Sequence, residues 1–258
     1  MDDKIVFFDI DGTLVNERKE IPESTKESIV QLKKNGVHVA IATGRGPFMF
    51  EPIRKELAID SFVSFNGSYV VFQDEVIHKT PLSAEFIHKI EEEAKTAGHP
   101  LVYLDHQKAT CNADDHEVIR NCTYNLMPNY PMYHPGFYED NEVYQVLLFC
   151  QEDQEKGYRD SYKGTFDFIR WHEDALDILP TGGSKAKGIE AFMEKMNIKQ
   201  ENVFAFGDAL NDIEMLTAAG TGIAMGNGLK EAKEAADYVT RSVDEDGIYY
   251  GLKHFGLI

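Results

Sequence analysis

The feature that most restricts the fold is an alternation of short strand-like runs with amphipathic helical stretches, present at both ends of the chain and missing from its middle. Residues 4–8 read KIVFF. A helical pattern follows over 22–35, with Pro22 in the first turn, where a missing N–H costs nothing, apolar Ile29, Val30 and Leu32 on one side, and Gly36 as the stop. Next come VHVAIATGR, a continuous apolar strand running into Thr43 and Gly44, a helix opened by Pro47, and FVSF. Parallel neighbours need a crossover, and a helix supplies it, so this order predicts a parallel sheet. Asn66-Gly67 separates FVSF from YVVF and favours a hairpin, so an antiparallel excursion is expected there. From about Ser184 the first pattern returns, with a helix to Met196, the strand VFAFG, a helix from Asp212, the strand GIAM and a helix after Asn227.

The middle reads differently. A helix over 83–97 ends at Gly98, short strands follow (LVYL, VYQVLLF, TFDFIRW, ALDIL), and a Pro, Tyr and Asn rich patch occupies 124–138. The expected fold is therefore α/β, a Rossmann-like doubly wound, mostly parallel sheet assembled from residues 1–81 and 181–258. An α+β domain over 82–180 is inserted into it, with linkers near Thr80-Pro81 and Pro180-Gly183.

A formal charge of −18 argues against nucleic acid or an anionic membrane as a partner, and requires local positive charge for any phosphate-bearing ligand. The N-terminus lacks a basic segment followed by a long apolar one, and nowhere do 18 uncharged apolar residues run together, so a soluble, cytoplasmic protein is expected. Cys111, Cys122 and Cys150 are odd in number without C-x-x-C spacing, which fits reduced thiols.

The chemistry lies at strand ends. In open parallel sheets ligands bind at the carboxyl edge, where loops converge and helix N-termini point inward. Asp9 and Asp11 stand two apart just past the first strand, and Gly12 lets the backbone turn. VFAFG also ends in acids, Asp208 and Asp212. Four carboxylates on one rim repel, and either raised pKa values or a bound cation relieves them. With oxygen donors and no nearby His or Cys, Mg²⁺ suits the set. Thr43 and Gly44 offer hydroxyl and backbone donors to a phosphate, and Lys185 adds a fixed positive charge. Two carboxylates can then divide the labour, one attacking phosphorus and the other protonating the leaving oxygen.

DIDGTL at 9–14, ATGR at 42–45, GGSKAKG at 182–188 and GDALND at 207–212 resemble, in order, the four motifs of the haloacid dehalogenase-like phosphohydrolase superfamily. FNGSYV, AMGNG and DEDGI further resemble its Cof-type subfamily, whose large α+β cap is inserted between the second and third motifs. The resemblance implies Asp9 as a nucleophile forming an aspartyl-phosphate and Asp11 as general acid and later base. It implies a Mg²⁺ site of Asp9, the Asp11 carbonyl and Asp208, with Asp212 and Asn211 supporting from outside. Thr43 and Lys185 would hold the transferring group, with Gly44 and Arg45 at the substrate. It also implies a mobile cap that selects a small phosphorylated metabolite, such as a sugar phosphate or a cofactor-related phosphate. A phosphomutase or phosphotransferase shares the same nucleophile, and a catalytically silent phosphate sensor would share the binding residues.

Two positions depart from the pattern. Ala186 replaces the usual glycine after the motif lysine, leaving Lys187 as a rival to Lys185, and Ala209 stands where Asn, Ser or Gly is usual. Lys185 is preferred because Gly188, Ile189 and the run to Ile198 then fall in register. Asn66-Gly67 reads as structural, and Asn227 as a brace between loops. The scattered His99, His106, Cys111, His116 and Cys122 fit no zinc spacing. Much of the patch from Tyr124 to Tyr138 is expected to pack the inserted domain.

Overall fold

The computed structural model describes residues 3–124, 126, 127 and 129–258; Asn125 and Pro128 of the aromatic patch lie outside the described residues. The chain divides into two compact units. The first comprises residues up to Gly44, Pro52–Lys79 and Ser184–Ile258, and the second Arg45–Glu51 and Thr80–Gly183.

The chain begins with β1 (Ile5–Phe8), α1 (Glu23–Lys34), β2 (His38–Ala42), α2 (Glu51–Glu56, in the first unit from Pro52), β3 (Phe62–Ser64), β4 (Tyr69–Phe72) and β5 (Glu75–Lys79). The chain then runs through the second unit as α3 (Ala84–Ala97), β6 (Leu101–Leu104), β7 (Ala109–Cys111), α4 (Glu117–Thr123), β8 (Met132–Tyr133), β9 (Gln145–Leu148), α5 (Lys156–Ser161), β10 (Phe166–His172) and β11 (Ala175–Pro180). It returns as α6 (Lys185–Met196), β12 (Val203–Gly207), α7 (Ile213–Ala218), β13 (Thr221–Ala224), α8 (Lys230–Ala235), β14 (Tyr238–Val239) and α9 (Gly247–His254).

In the first unit the sheet order is β14-β13-β12-β1-β2-β3-β4-β5, parallel as far as β3 and antiparallel through β4 and β5. β1 sits centrally and is buried at every position, as a continuous apolar run requires when helices cover both faces. On one face Phe7 meets Phe192 of α6 edge to face at 5.2 Å; on the other Phe8 stacks on Phe206 at 5.0 Å. α1 follows Pro22 and buries Thr25, Ser28, Ile29 and Leu32, the spacing of one helical face. Val30, expected beside Ile29, points to solvent, because each residue turns the helix by about 100°.

β3 and β4 form the hairpin that Asn66-Gly67 predicts, but through a longer loop, a 3₁₀ turn over Phe65–Gly67 in which all three residues have positive φ. Gly67 is required there twice over, by its φ of 98° and because a Cβ would collide with the carbonyl of Ser184. Ser184 caps α6, accepting the Lys187 N–H. The hairpin and the start of α6 are thus fitted together, and Gly67→Ala is expected to cost about 2–3 kcal/mol, read as a lowered Tm.

The second unit has the sheet order β10-β11-β9-β6-β7-β8, antiparallel except where β7 meets β8. Its core gathers Ile87, Ile90 and Ala94 of α3 with Tyr103, Val146, Leu148, Leu176 and Ile178 of the strands. The aromatic patch splits. Phe137 and Tyr138 are buried in this core, where Tyr138 and Tyr103 both donate to Glu91, whereas Tyr124, Met132 and Tyr133 are exposed. Among the described residues no helix is long and apolar enough to cross a membrane. Cys111, Cys122 and Cys150 are all buried free thiols.

Candidate active site

β1 pairs with β12 on one side and β2 on the other, so the residues just past these strands emerge at one edge. Asp9 extends the ladder by donating its N–H to the Phe206 carbonyl, which fixes the backbone carrying its carboxylate. Gly12 then turns at φ 79°, and a Cβ there would strike the Asp208 carboxylate. Gly12→Ala is therefore expected to displace Asp208 and reduce turnover by about 10²-fold or more, measured as initial rate at saturating metal.

Lys185, the first residue of α6, is fully buried. Its ammonium donates to Asp9 Oδ1 at 2.5 Å and to Asp212 Oδ1 at 2.6 Å, while Lys187 is exposed. Asp212 is also fully buried, and its Oδ2 accepts the N–H groups of Asp208 and Ala209 at 2.9 and 3.0 Å. With both oxygens engaged, Asp212 shapes the loop and orients the lysine. Asn211, expected to share that task, is exposed in the turn. Asp208 accepts from the Thr13 hydroxyl at 3.2 Å, a partner the motif reading did not single out.

Asp11 stands at the margin of this cluster. Its carboxylate pairs with Lys19 at 2.7 Å, with both side chains substantially exposed, yet its charge still helps to raise the pKa of Asp208. The loop is braced by Asn227, which donates to the Gly12 carbonyl and accepts the Val243 N–H, each at 2.8 Å, and by Asn16, which donates to Asp244 at 2.9 Å. Thr43 is buried at the end of β2. Its N–H donates to Val63 and its carbonyl accepts from Asn66, whose side-chain amide lies against Gly44. Arg45 groups with the second unit.

The charges do not balance. Burial, opposed by Lys185 and reinforced by Asp212 and Asp208, pushes the Asp9 carboxyl up to about 7. Burial and Asp212 push Asp208 up to about 6. Burial works against the charge of Lys185, but Asp9 and Asp212 outweigh it and hold the ammonium above its ordinary range. Three acids thus face one base, with carboxylate oxygens of Asp9, Asp208 and Asp212 within 4.8 Å of one another. An all-oxygen set with excess negative charge fits a hard divalent cation, and the raised acid pKa values are what such a cluster shows without one.

Residues 6–252 match the family described as haloacid dehalogenase-like hydrolase. The Bacillus subtilis (strain 168) protein named "Putative phosphatase YkrA" is 45% identical over 258 residues, covering 100% of each chain. The crystal structure of a hypothetical protein from Geobacillus kaustophilus HTA426 superposes with a TM-score of 0.96 at 52% identity, over 99% of this chain and 100% of that one. The sugar phosphatase BT4131, of subclass IIB of the same superfamily, superposes with a TM-score of 0.84 at 34% identity, over 99% and 100%.

Proposed function

The chain belongs to the haloacid dehalogenase-like hydrolases, as a phosphatase of small phosphorylated metabolites, and from that premise we propose Mg²⁺-dependent hydrolysis of phosphate monoesters through a phosphoryl group carried on Asp9. The observation that carries this reading is the buried Lys185, held between Asp9 and Asp212 at 2.5 and 2.6 Å. A lysine so placed fixes the rotation of the nucleophilic carboxylate and offers a permanent charge to an incoming phosphoryl group.

Members of the family generally use a divalent metal. Here Asp9, the Asp11 carbonyl and Asp208 would hold Mg²⁺, which supplies charge compensation to the phosphoryl oxygens. Asp9 attacks phosphorus as the bond to the leaving oxygen breaks, and Asp11 gives that oxygen its proton. Asp11 then takes a proton from water as the water attacks the phosphoryl group, releasing inorganic phosphate and restoring Asp9. The Asp11–Lys19 pair is exposed on both sides and worth at most about 1 kcal/mol, so substrate can exchange it. The Thr43 hydroxyl and the Gly44 N–H are assigned to the phosphoryl oxygens. Arg45 and the inserted unit over 82–180 are assigned to substrate choice, with a sugar phosphate or a cofactor-related phosphate as the class. The test is release of inorganic phosphate from p-nitrophenyl phosphate, which should require Mg²⁺ and stop with EDTA; unchanged turnover in EDTA would contradict the reading.

Proton linkage gives a second check. Asp9 and Asp208 bind protons more tightly folded than unfolded, where both have a pKa near 3.8. The folded metal-free protein therefore holds extra protons between about pH 4 and pH 7, and its stability falls as pH rises through that window. A bound cation displaces those protons. The gain in Tm from saturating Mg²⁺ is expected to be larger at pH 7.5 than at pH 5 by roughly 5 °C, measured by calorimetry.

A further inference from the structure

A second cluster of donor atoms lies wholly within the second unit and takes no part in the chemistry above. Cys122 on α4, His172 at the end of β10 and Asp174 in the turn to β11 place one sulfur, one imidazole nitrogen and one carboxylate oxygen within 4.8 Å of one another. The three come from segments about 50 residues apart, which is why a search for short Cys and His spacings passes over them.

We propose that Cys122, His172 and Asp174 form a binding site for a zinc-type divalent transition ion, tying α4 to the β10–β11 hairpin. Cys122 Sγ and His172 Nδ1 are 3.4 Å apart. Two ligands on one tetrahedral zinc, at the usual Zn–S and Zn–N bond lengths, stand about 3.6 Å apart, so the pair needs almost no rearrangement. The imidazole is also prepared. The Asp174 N–H donates to Nδ1 at 3.1 Å, so that nitrogen carries its lone pair and the proton is on Nε2, the neutral form that ligates through Nδ1. Metal binding exchanges this hydrogen bond and the Cys122 thiol contact to the same nitrogen for bonds to the ion.

The donor set separates this site from the acidic cluster. A sulfur and an imidazole nitrogen prefer borderline ions such as Zn²⁺ over Mg²⁺, which takes oxygen. Cys122 is buried, and burial together with the charges of Asp174 and Glu173 keeps it a protonated thiol in the metal-free chain. The same negative surroundings attract a dication, which releases that proton on binding. Three protein ligands leave a fourth position for water.

The test uses the full-length chain, stripped of metal and then kept in excess Mg²⁺ so that the acidic cluster is satisfied, and titrated with Co²⁺ as a visible substitute for Zn²⁺. One equivalent should produce a thiolate-to-cobalt charge-transfer band in the near ultraviolet, which Zn²⁺ then abolishes by competition. Cys122→Ser should remove the band, and His172→Gln and Asp174→Asn should each weaken Co²⁺ binding by about tenfold or more. Absence of the band in the unmodified protein overturns the site, as does an undiminished band in Cys122→Ser, which would assign it to Cys111 or Cys150. Should Cys122→Ser fail to fold, the two part-exposed positions decide the matter, and unchanged Co²⁺ affinity in both overturns the site.

Discussion

Replacing Asp9 by Asn is expected to abolish phosphate release, lowering kcat by about 10⁴-fold or more, while the protein remains folded. The substitution keeps the shape of the side chain and a carbonyl oxygen for Lys185, but removes the nucleophile. It also reduces the cluster from three carboxylates against one ammonium to two against one, removing a carboxyl whose pKa is raised by burial first and by Asp212 and Asp208 after it. Activity and stability should therefore separate, with kcat lost and Tm within a few degrees of the parent. Parallel initial-rate assays and thermal melts on one preparation measure both. An Asp9→Asn protein with more than a small fraction of parental turnover would remove Asp9 from the nucleophile's role.

Lys185→Met is expected to have the largest effect on stability. The ammonium and Asp212 are wholly buried and Asp9 nearly so, and removing one partner of a buried ion pair leaves charge that water cannot reach. The cost is about 3–5 kcal/mol in the metal-free protein, roughly a 10 °C fall in Tm. Asp9, whose burial already pushes its carboxyl up to about 7, can relieve part of the penalty by taking up a proton, so the deficit should shrink as pH falls below about 7 and be greatest above it. Turnover should fall by about 10²–10³-fold, because a fixed charge aimed at the phosphoryl group is lost. Lys187→Met, at the exposed neighbour, should change Tm by no more than a degree or two. Equal effects at the two positions would contradict the assignment of Lys185.

The parts of this molecule that could be read from sequence are those fixed by local periodicity. The runs ending at Phe8, Ala42 and Gly207 are apolar on both faces, and a parallel sheet covered on both sides is what such runs build. That Lys185 rather than Lys187 turns inward follows from the same periodicity, since the face of α6 that buries Ile189 and Phe192 also buries Lys185. The contacts that were not legible join distant segments. Thr13 reaches Asp208 across 195 positions and Asn16 reaches Asp244 across 228, and no spacing rule connects them. Lys19 is absent from the motif although it pairs with Asp11, because its place depends on a turn with φ of 62° at a residue other than glycine. β5 carried no signal either. It is mostly exposed, so its residues do not alternate between apolar and polar in the way that marks a half-buried strand. Cys122 forms no zinc spacing with the cysteines and histidines close to it in sequence, whereas the fold sets it beside His172.

The most direct test of the central claim is chemical trapping of the phosphorylated enzyme. Turnover of p-nitrophenyl phosphate in Mg²⁺ is quenched with acid, the protein is reduced with borohydride, which converts an acyl phosphate into an alcohol, and the digest is read by mass spectrometry. The expected result is homoserine at position 9, formed only with substrate and Mg²⁺ present and lost in Asp9→Asn. Modification at another residue, or none under conditions of rapid turnover, would show that phosphorus is not transferred to Asp9.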